Sequence, residues 1–189
     1  MTEKDVGFVT MGQAEAAEEI PTIGIGMLGY AFMGKAHSNA LKKIAYMTWP
    51  PPYIPRLVEI SGRNEEAVKE AARRYGYEKW STDWRDVVAN PDVQVFDNGG
   101  PNDVHLEPTV AAAKAGKHVI CEKPLGRTAD ESYEIWKGVA GHGVKAMTAF
   151  NYRFYPAICL AKGMIDAGEL GEIYHFRGRY HQELSLIHI

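Results

Sequence analysis

Cysteine is nearly absent from this chain: two thiols, Cys121 and Cys159, occur in 189 residues. They form no paired motif and no cluster with histidine, so neither a disulfide framework nor a metal site can be built on them. Both sit in apolar sequence and read as small buried residues. No apolar run approaches the length of a membrane span, about 20 residues. No secretory leader is expected ahead of the domain. Positive charge is not in excess, since 21 Lys and Arg stand against 24 Asp and Glu. Without a basic cluster, nucleic acid is not an expected partner. These absences point to a cytoplasmic protein with a small-molecule ligand. Internal repeats are absent too.

What is present is enough apolar residue, 46%, for one full domain and part of another. Residues 1–20 are polar and acidic and read as an extension. The stretch GIGMLGYAFMGKAH at residues 24–37 then offers two overlapping glycine frames. Gly24, Gly26 and Gly29 spell a complete G-x-G-x-x-G, and Gly29, Ala31 and Gly34 spell it with alanine in the middle. The first glycine of a phosphate-binding turn must follow a buried strand. The complete frame leaves almost no strand before it. The second leaves Thr22–Leu28, of ordinary strand length. Phe32 onward has helical apolar spacing. The turn is therefore expected at Gly29–Phe32, with Gly24 and Gly26 inside the strand.

Beyond a proline-dense connection, Tyr46–Pro55, strand and helix alternate. Strands are expected at 56–61, 80–81, 93–97, 117–121 and 144–150. Helices are expected at 65–75 with Asn64 as N-cap, 83–89, 104–115, and 129–140 capped by Thr128. This alternation implies a Rossmann-type α/β fold, a doubly wound parallel sheet over residues 21–150. Ligands of such sheets lie at the carboxyl ends of the strands. Gly29, Tyr30, Ala31, Phe32, Met33 and Gly34 end the first strand. The second ends in Ser61, Arg63 and Asn64, with no acidic residue to hold a ribose hydroxyl. A hydroxyl, a guanidinium and an amide suit a 2′-phosphate, which favours NADP over NAD; the alternative is a solvated loop arginine. The fourth strand runs into Pro101, Asn102 and His105. Asn102 reads either as a helix cap or as part of an anion site, and His105 either as a site residue or as a surface residue. Glu122, Lys123 and Pro124 end the fifth. A lysine there can hold the proton of a substrate hydroxyl, or can pair structurally with Glu122 or a neighbour.

The elements GYAFMGKAH, GGPNDVH, AGKHVICEKP and FNYRFYPA, in that order, resemble the Gfo/Idh/MocA family of NAD(P)-dependent oxidoreductases. The resemblance implies hydride transfer between nicotinamide and a secondary alcohol of a sugar, inositol or related polyol. It matches Gly29, Ala31 and Gly34 to the phosphate turn and His37 to a histidine often found just beyond it. Pro101, Asn102 and His105 match the loop near the nicotinamide. Glu122, Lys123 and Pro124 match the family's most specific element. Lys123 is implied to touch substrate oxygen and cofactor, with His105 beside it as a catalytic candidate. Tyr152 and Arg153 match the segment entering a second, α+β domain.

That domain is expected to begin at residues 151–183, with a helix at 155–167 and a first strand at 172–182, and to be truncated. Its implied catalytic aspartate and histidine, and the sheet through which the parent would form a homo-oligomer, are not in the sequence. Residues 184–189, LSLIHI, read as translation of the mosaic-end adapter of transposase-based sequencing libraries. On this reading the fragment alone is inactive. Two further functions stay open: a non-catalytic dinucleotide sensor, and an elimination or hydrolysis enzyme using transient redox chemistry.

Overall fold

The structure is a computed structural model and describes residues 20–48 and 50–181. The adapter reading of residues 184–189, and all of the N-terminal extension but Ile20, lie outside those residues. The chain forms two compact units, one ending at Ala149 and one beginning at Phe150. Each is described by itself.

The first unit is a six-stranded sheet in the order β3-β2-β1-β4-β5-β6. Its strands are β1 Thr22–Leu28, β2 Ile54–Ser61, β3 Lys79–Ser81, β4 Val95–Asn98, β5 His118–Cys121 and β6 Ala146–Thr148. Every pairing is parallel. The helices between them are α1 Phe32–Met47, α2 Glu65–Tyr75, α3 Trp84–Ala89, α4 Leu106–Lys114 and α5 Ala129–Val139. This is the strand order of a Rossmann sheet, whose ligand crevice lies where the winding reverses, between β1 and β4.

A doubly wound sheet needs apolar residues on both faces. One core gathers Leu28, Val58, Val87, Phe96, Ala112, Val119 and Ile135. The other gathers Ile25, Met27, Leu57, Ile60, Val68 and Tyr77. Met27, Ile60 and Phe96 are wholly buried, each contributing about 1.5–3 kcal/mol of transfer free energy.

Local signals set most boundaries. The Asn64 side chain accepts the Ala67 N–H, and Gly76 closes α2 in the left-handed conformation at φ 79°. Thr128 caps α5 through the Glu131 N–H. The proline-dense connection is shorter than expected, because α1 runs to Met47 and β2 starts at Ile54. Pro55 is tolerated within β2. The Ile54 N–H donates to Pro21 on the β1 side, so the Pro55 nitrogen faces the other flank, where β3 pairs only from Glu59 onward.

The second unit contains a 3-10 turn, Asn151–Phe154, and helix α6, Pro156–Asp166. The Tyr152 ring contacts Tyr155 and Tyr180. The expected strand at 172–182 is not formed over its described part, 172–181. A strand is defined by the ladder it shares with a neighbour, and no ladder among the described residues reaches this segment. Its apolar side chains Ile173, Tyr174 and Phe176 are exposed. Cys159, expected to be buried, is also exposed.

Candidate functional site

The turn falls in the second of the two glycine frames. Gly29 has φ 97°, a conformation that penalises any side chain. A Cβ at Gly34 would lie 2.0 Å from the Gly29 carbonyl oxygen, so only glycine lets α1 start this close to β1. Gly24 and Gly26 stand inside β1. There a Cβ would meet the Asp92 oxygen at 1.8 Å and Val87 Cγ1 at 2.4 Å. Their role is packing. Ala31 occupies the N-cap position of α1 and supplies no side-chain acceptor. The first amides of the helix, next to the positive end of its dipole, thus lack a side-chain partner. This is the cradle that a dinucleotide pyrophosphate fits. Around it, Tyr30 lays its ring over Gly62, whose backbone would clash with that ring if it carried a Cβ. Tyr75 donates to the Tyr30 carbonyl at 2.9 Å. Phe32 is 82% exposed at the mouth of the turn, and Met33 is half-buried.

At the end of β2 the expected trio divides. The Ser61 hydroxyl is buried and donates to the Met27 carbonyl at 3.3 Å. The Asn64 oxygen caps α2. Only Arg63 is an exposed side chain without one of these structural duties.

The loop after β4 is organised from within the strand. Asn98 Nδ2 donates to the Val104 carbonyl at 2.9 Å and to Thr109 Oγ1 at 3.1 Å, while its Oδ1 accepts the Gly100 N–H at 3.2 Å. Asn102 therefore caps nothing: a 3-10 turn, Asn102–Val104, precedes α4, and no side chain caps either element. Pro101 and Asn102 are exposed on this loop. His105 is wholly buried, not on the surface. Its Nδ1 lies 2.9 Å from the Pro124 carbonyl oxygen and its Nε2 3.1 Å from that of Gly100. It ties the loop after β4 to the loop after β5.

Glu122 and Lys123 do not pair with each other's side chains. Glu122 is buried, and its Oε1 lies 3.0 Å from His37 Nε2. His37 Nδ1 reaches Asp97 Oδ2, also at 3.0 Å. The imidazole thus joins the ends of β4 and β5. Hydrogen bonding and charge from Asp97, then Glu122, outweigh partial burial and raise the His37 pKa from 6.5 to about 9. Burial pushes the Asp97 carboxyl upward, against the opposing pull of His37. The proton of the cluster resides on His37, which then donates to both carboxylates. Glu122 Oε2 accepts the Lys123 N–H at 2.9 Å. The Lys123 side chain is exposed at the strand edge. Beside it the Cys121 thiol is buried and pushed up to about 12. Asp97 and Asn98 were missed as organising residues; the available signal was two polar residues ending the apolar strand VFDN. Arg153 belongs to the second unit, where its carbonyl accepts the Cys159 thiol at 3.4 Å.

A glycine turn at the switch point of a parallel sheet, opening onto an uncapped helix, is the arrangement of a dinucleotide-binding domain. The chain belongs to the Gfo/Idh/MocA oxidoreductase family, whose NAD-binding Rossmann fold it matches over residues 23–150. It is 45% identical over 163 residues to levoglucosan dehydrogenase of Pseudarthrobacter phenanthrenivorans, covering 86% of this chain and 42% of that protein. It is 32% identical to scyllo-inositol 2-dehydrogenase (NAD(+)) of Bacillus subtilis, covering 82% and 42%. Levoglucosan dehydrogenase in complex with NADH and levoglucosan superposes with a TM-score of 0.77 at 45% identity, over 80% of this chain and 41% of that one. The chain thus spans less than half the length of these relatives. Among the described residues no helix is long and apolar enough to cross a membrane.

Proposed function

We propose that this chain is the cofactor-binding part of a dehydrogenase that moves a hydride between nicotinamide and a secondary alcohol carbon of a sugar, inositol or related polyol. The observation that carries the proposal is the Gly29–Gly34 cradle beneath the uncapped start of α1. The dinucleotide, when bound, supplies the redox chemistry. This chain's residues hold and orient it. Gly29, Tyr30, Ala31, Phe32, Met33 and Gly34 line the phosphate turn, and Pro101 and Asn102 line the nicotinamide side. Lys123, carried by β5 to the sheet edge, is the residue proposed to meet the substrate oxygen. His105 is buried against backbone carbonyls, so its proposed part is to position the two loops. Arg153 is proposed as a further dinucleotide-binding residue, as the family resemblance implies.

The form of dinucleotide turns on Arg63. Sequence reading favours NADP, but Ser61 and Asn64 commit their side chains to Met27 and Ala67. A relative 45% identical is described with NADH. We propose a site that accepts both forms, with Arg63 alone supporting the 2′-phosphate.

Because the chain spans less than half the length of its relatives, substrate choice and turnover are proposed for a protein of their full length. The relatives named above are dehydrogenases of levoglucosan and of scyllo-inositol, and a sugar, inositol or related polyol is proposed here. Mixing the longer protein with levoglucosan or an inositol and NAD(P), while following reduced-cofactor absorbance, tests the proposal. Net cofactor reduction supports it. Cofactor binding without product would favour a sensor, and product without net reduction an elimination or hydrolysis enzyme.

A further inference from the structure

His37 extends from the second turn of α1, the helix whose first turn forms the phosphate cradle. It reaches across the sheet edge to two acidic side chains that are 3% and 7% exposed. Two buried carboxylates at the ends of neighbouring strands repel unless a cation lies between them. Lys123 is the nearest cation in sequence, yet its side chain forms no ion pair among the described residues. Among the described residues His37 fills that place. Glu122 then has one oxygen left, and it accepts the backbone N–H of Lys123. The Glu122 N–H donates to the Asn98 carbonyl at 2.9 Å, which anchors the same residue to β4.

We propose that His37 is a positioning residue: through Glu122 it sets the backbone of Lys123, and so couples the phosphate-binding helix to the lysine that faces the substrate. The coupling stands on the hydrogen-bond geometry. Its meaning for catalysis rests on the dehydrogenase reading given above.

The chain of contacts makes the lysine backbone sensitive to the charge of a residue 85 positions away from Glu122. When His37 loses its proton, Glu122 Oε1 loses a donor and the negative charge of the cluster rises by one. The carboxylate then draws more strongly on its remaining donor, the Lys123 N–H. Other titratable groups near the cluster are Cys121 on β5 and Tyr77 after α2. Burial moves the Cys121 thiol up to about 12 and the Tyr77 phenol upward as well. Neither titrates where His37 does.

The test is a nuclear magnetic resonance titration of the isotopically labelled 189-residue chain without dinucleotide, from pH 6 to 10.5. The His37 ring carbon should titrate with a midpoint near 9, and the Lys123 amide signal should move with the same midpoint. His37→Gln should remove that inflection from Lys123. Glu122→Gln should remove it too and lower the His37 midpoint. A Lys123 amide that stays flat while His37 titrates would overturn the proposal. So would an inflection that survives in His37→Gln. If a variant does not fold, coincidence of the two wild-type midpoints still decides. NADH binding is measured separately on the same sample. A chain that binds no dinucleotide while Lys123 follows His37 sinks the dehydrogenase reading and leaves the coupling intact. A chain that binds it while Lys123 ignores His37 does the reverse.

Discussion

His105 Nδ1 lies 2.9 Å from the carbonyl oxygen of Pro124, with no solvent exposure of the histidine at all. A single side chain thus fastens two loops that leave neighbouring strands. Replacing it with alanine removes the ring that spans the Pro124 and Gly100 carbonyls, with the hydrogen bond its N–H donates, and leaves a cavity. His105→Ala should lower stability by about 2–4 kcal/mol. The loss is read from the midpoint of urea unfolding, and His105→Gln should lose less.

The Asp97–His37–Glu122 cluster makes stability depend on pH. The His37 pKa is raised in the folded chain from 6.5 to about 9, so its contribution is complete below the lower value. That contribution fades as pH climbs through the higher one. With allowance for partial solvent screening, roughly 2 kcal/mol is at stake. Melting temperature should fall between pH 6.5 and 9 in the wild type. His37→Gln should melt lower at pH 6.5 and show a flatter profile over the same range.

The two thiols should part company. Cys121 is 1% exposed and its thiol is pushed up to about 12 by burial, whereas Cys159 is exposed. Thiolate fraction and access control reactivity. A disulfide reagent at pH 8 should modify Cys159 promptly and Cys121 only after denaturant is added, as peptide mass analysis would report.

Arg63→Ala should weaken NADP binding by about 1.5–3 kcal/mol, the usual contribution of a charge-assisted hydrogen bond. NAD binding should change little. Titration calorimetry with both dinucleotides makes the comparison, and equal losses would remove Arg63 as the reader of the phosphate.

Local features of the fold were legible in the sequence. Helix α2 begins and ends where its asparagine cap and following glycine place it. The strand test for the glycine turn identified Gly29 because burial before a turn leaves an apolar run. Contacts between distant segments were not legible. The imidazole of His37 meets partners 60 and 85 positions away, and no local pattern encodes such a meeting. The start of α4 was misplaced for the same reason, since Asn98 controls that loop from inside β4. For His105 the sequence left a site residue and a surface residue both open, because a polar side chain in a turn is usually exposed, and it offered no sign of full burial. Its buried partners are backbone carbonyls, which carry no side-chain signature. The segment 172–181 has strand-like composition, but composition cannot supply the neighbour that a ladder requires.

The central claim is that the uncapped start of α1 binds the phosphates of a nicotinamide dinucleotide. Ala31→Asp tests it with effects of opposite sign. A carboxylate at this N-cap position would satisfy the first amides of α1 and stabilise the helix by about 0.5–2 kcal/mol. It would also occupy and repel the phosphate site. NADH titrated into the wild-type chain and into Ala31→Asp, with melting curves of both, gives the answer. The variant should melt higher and bind NADH at least about ten-fold more weakly, a difference of about 1.4 kcal/mol. Unchanged NADH affinity in a folded, stabilised variant would contradict the claim.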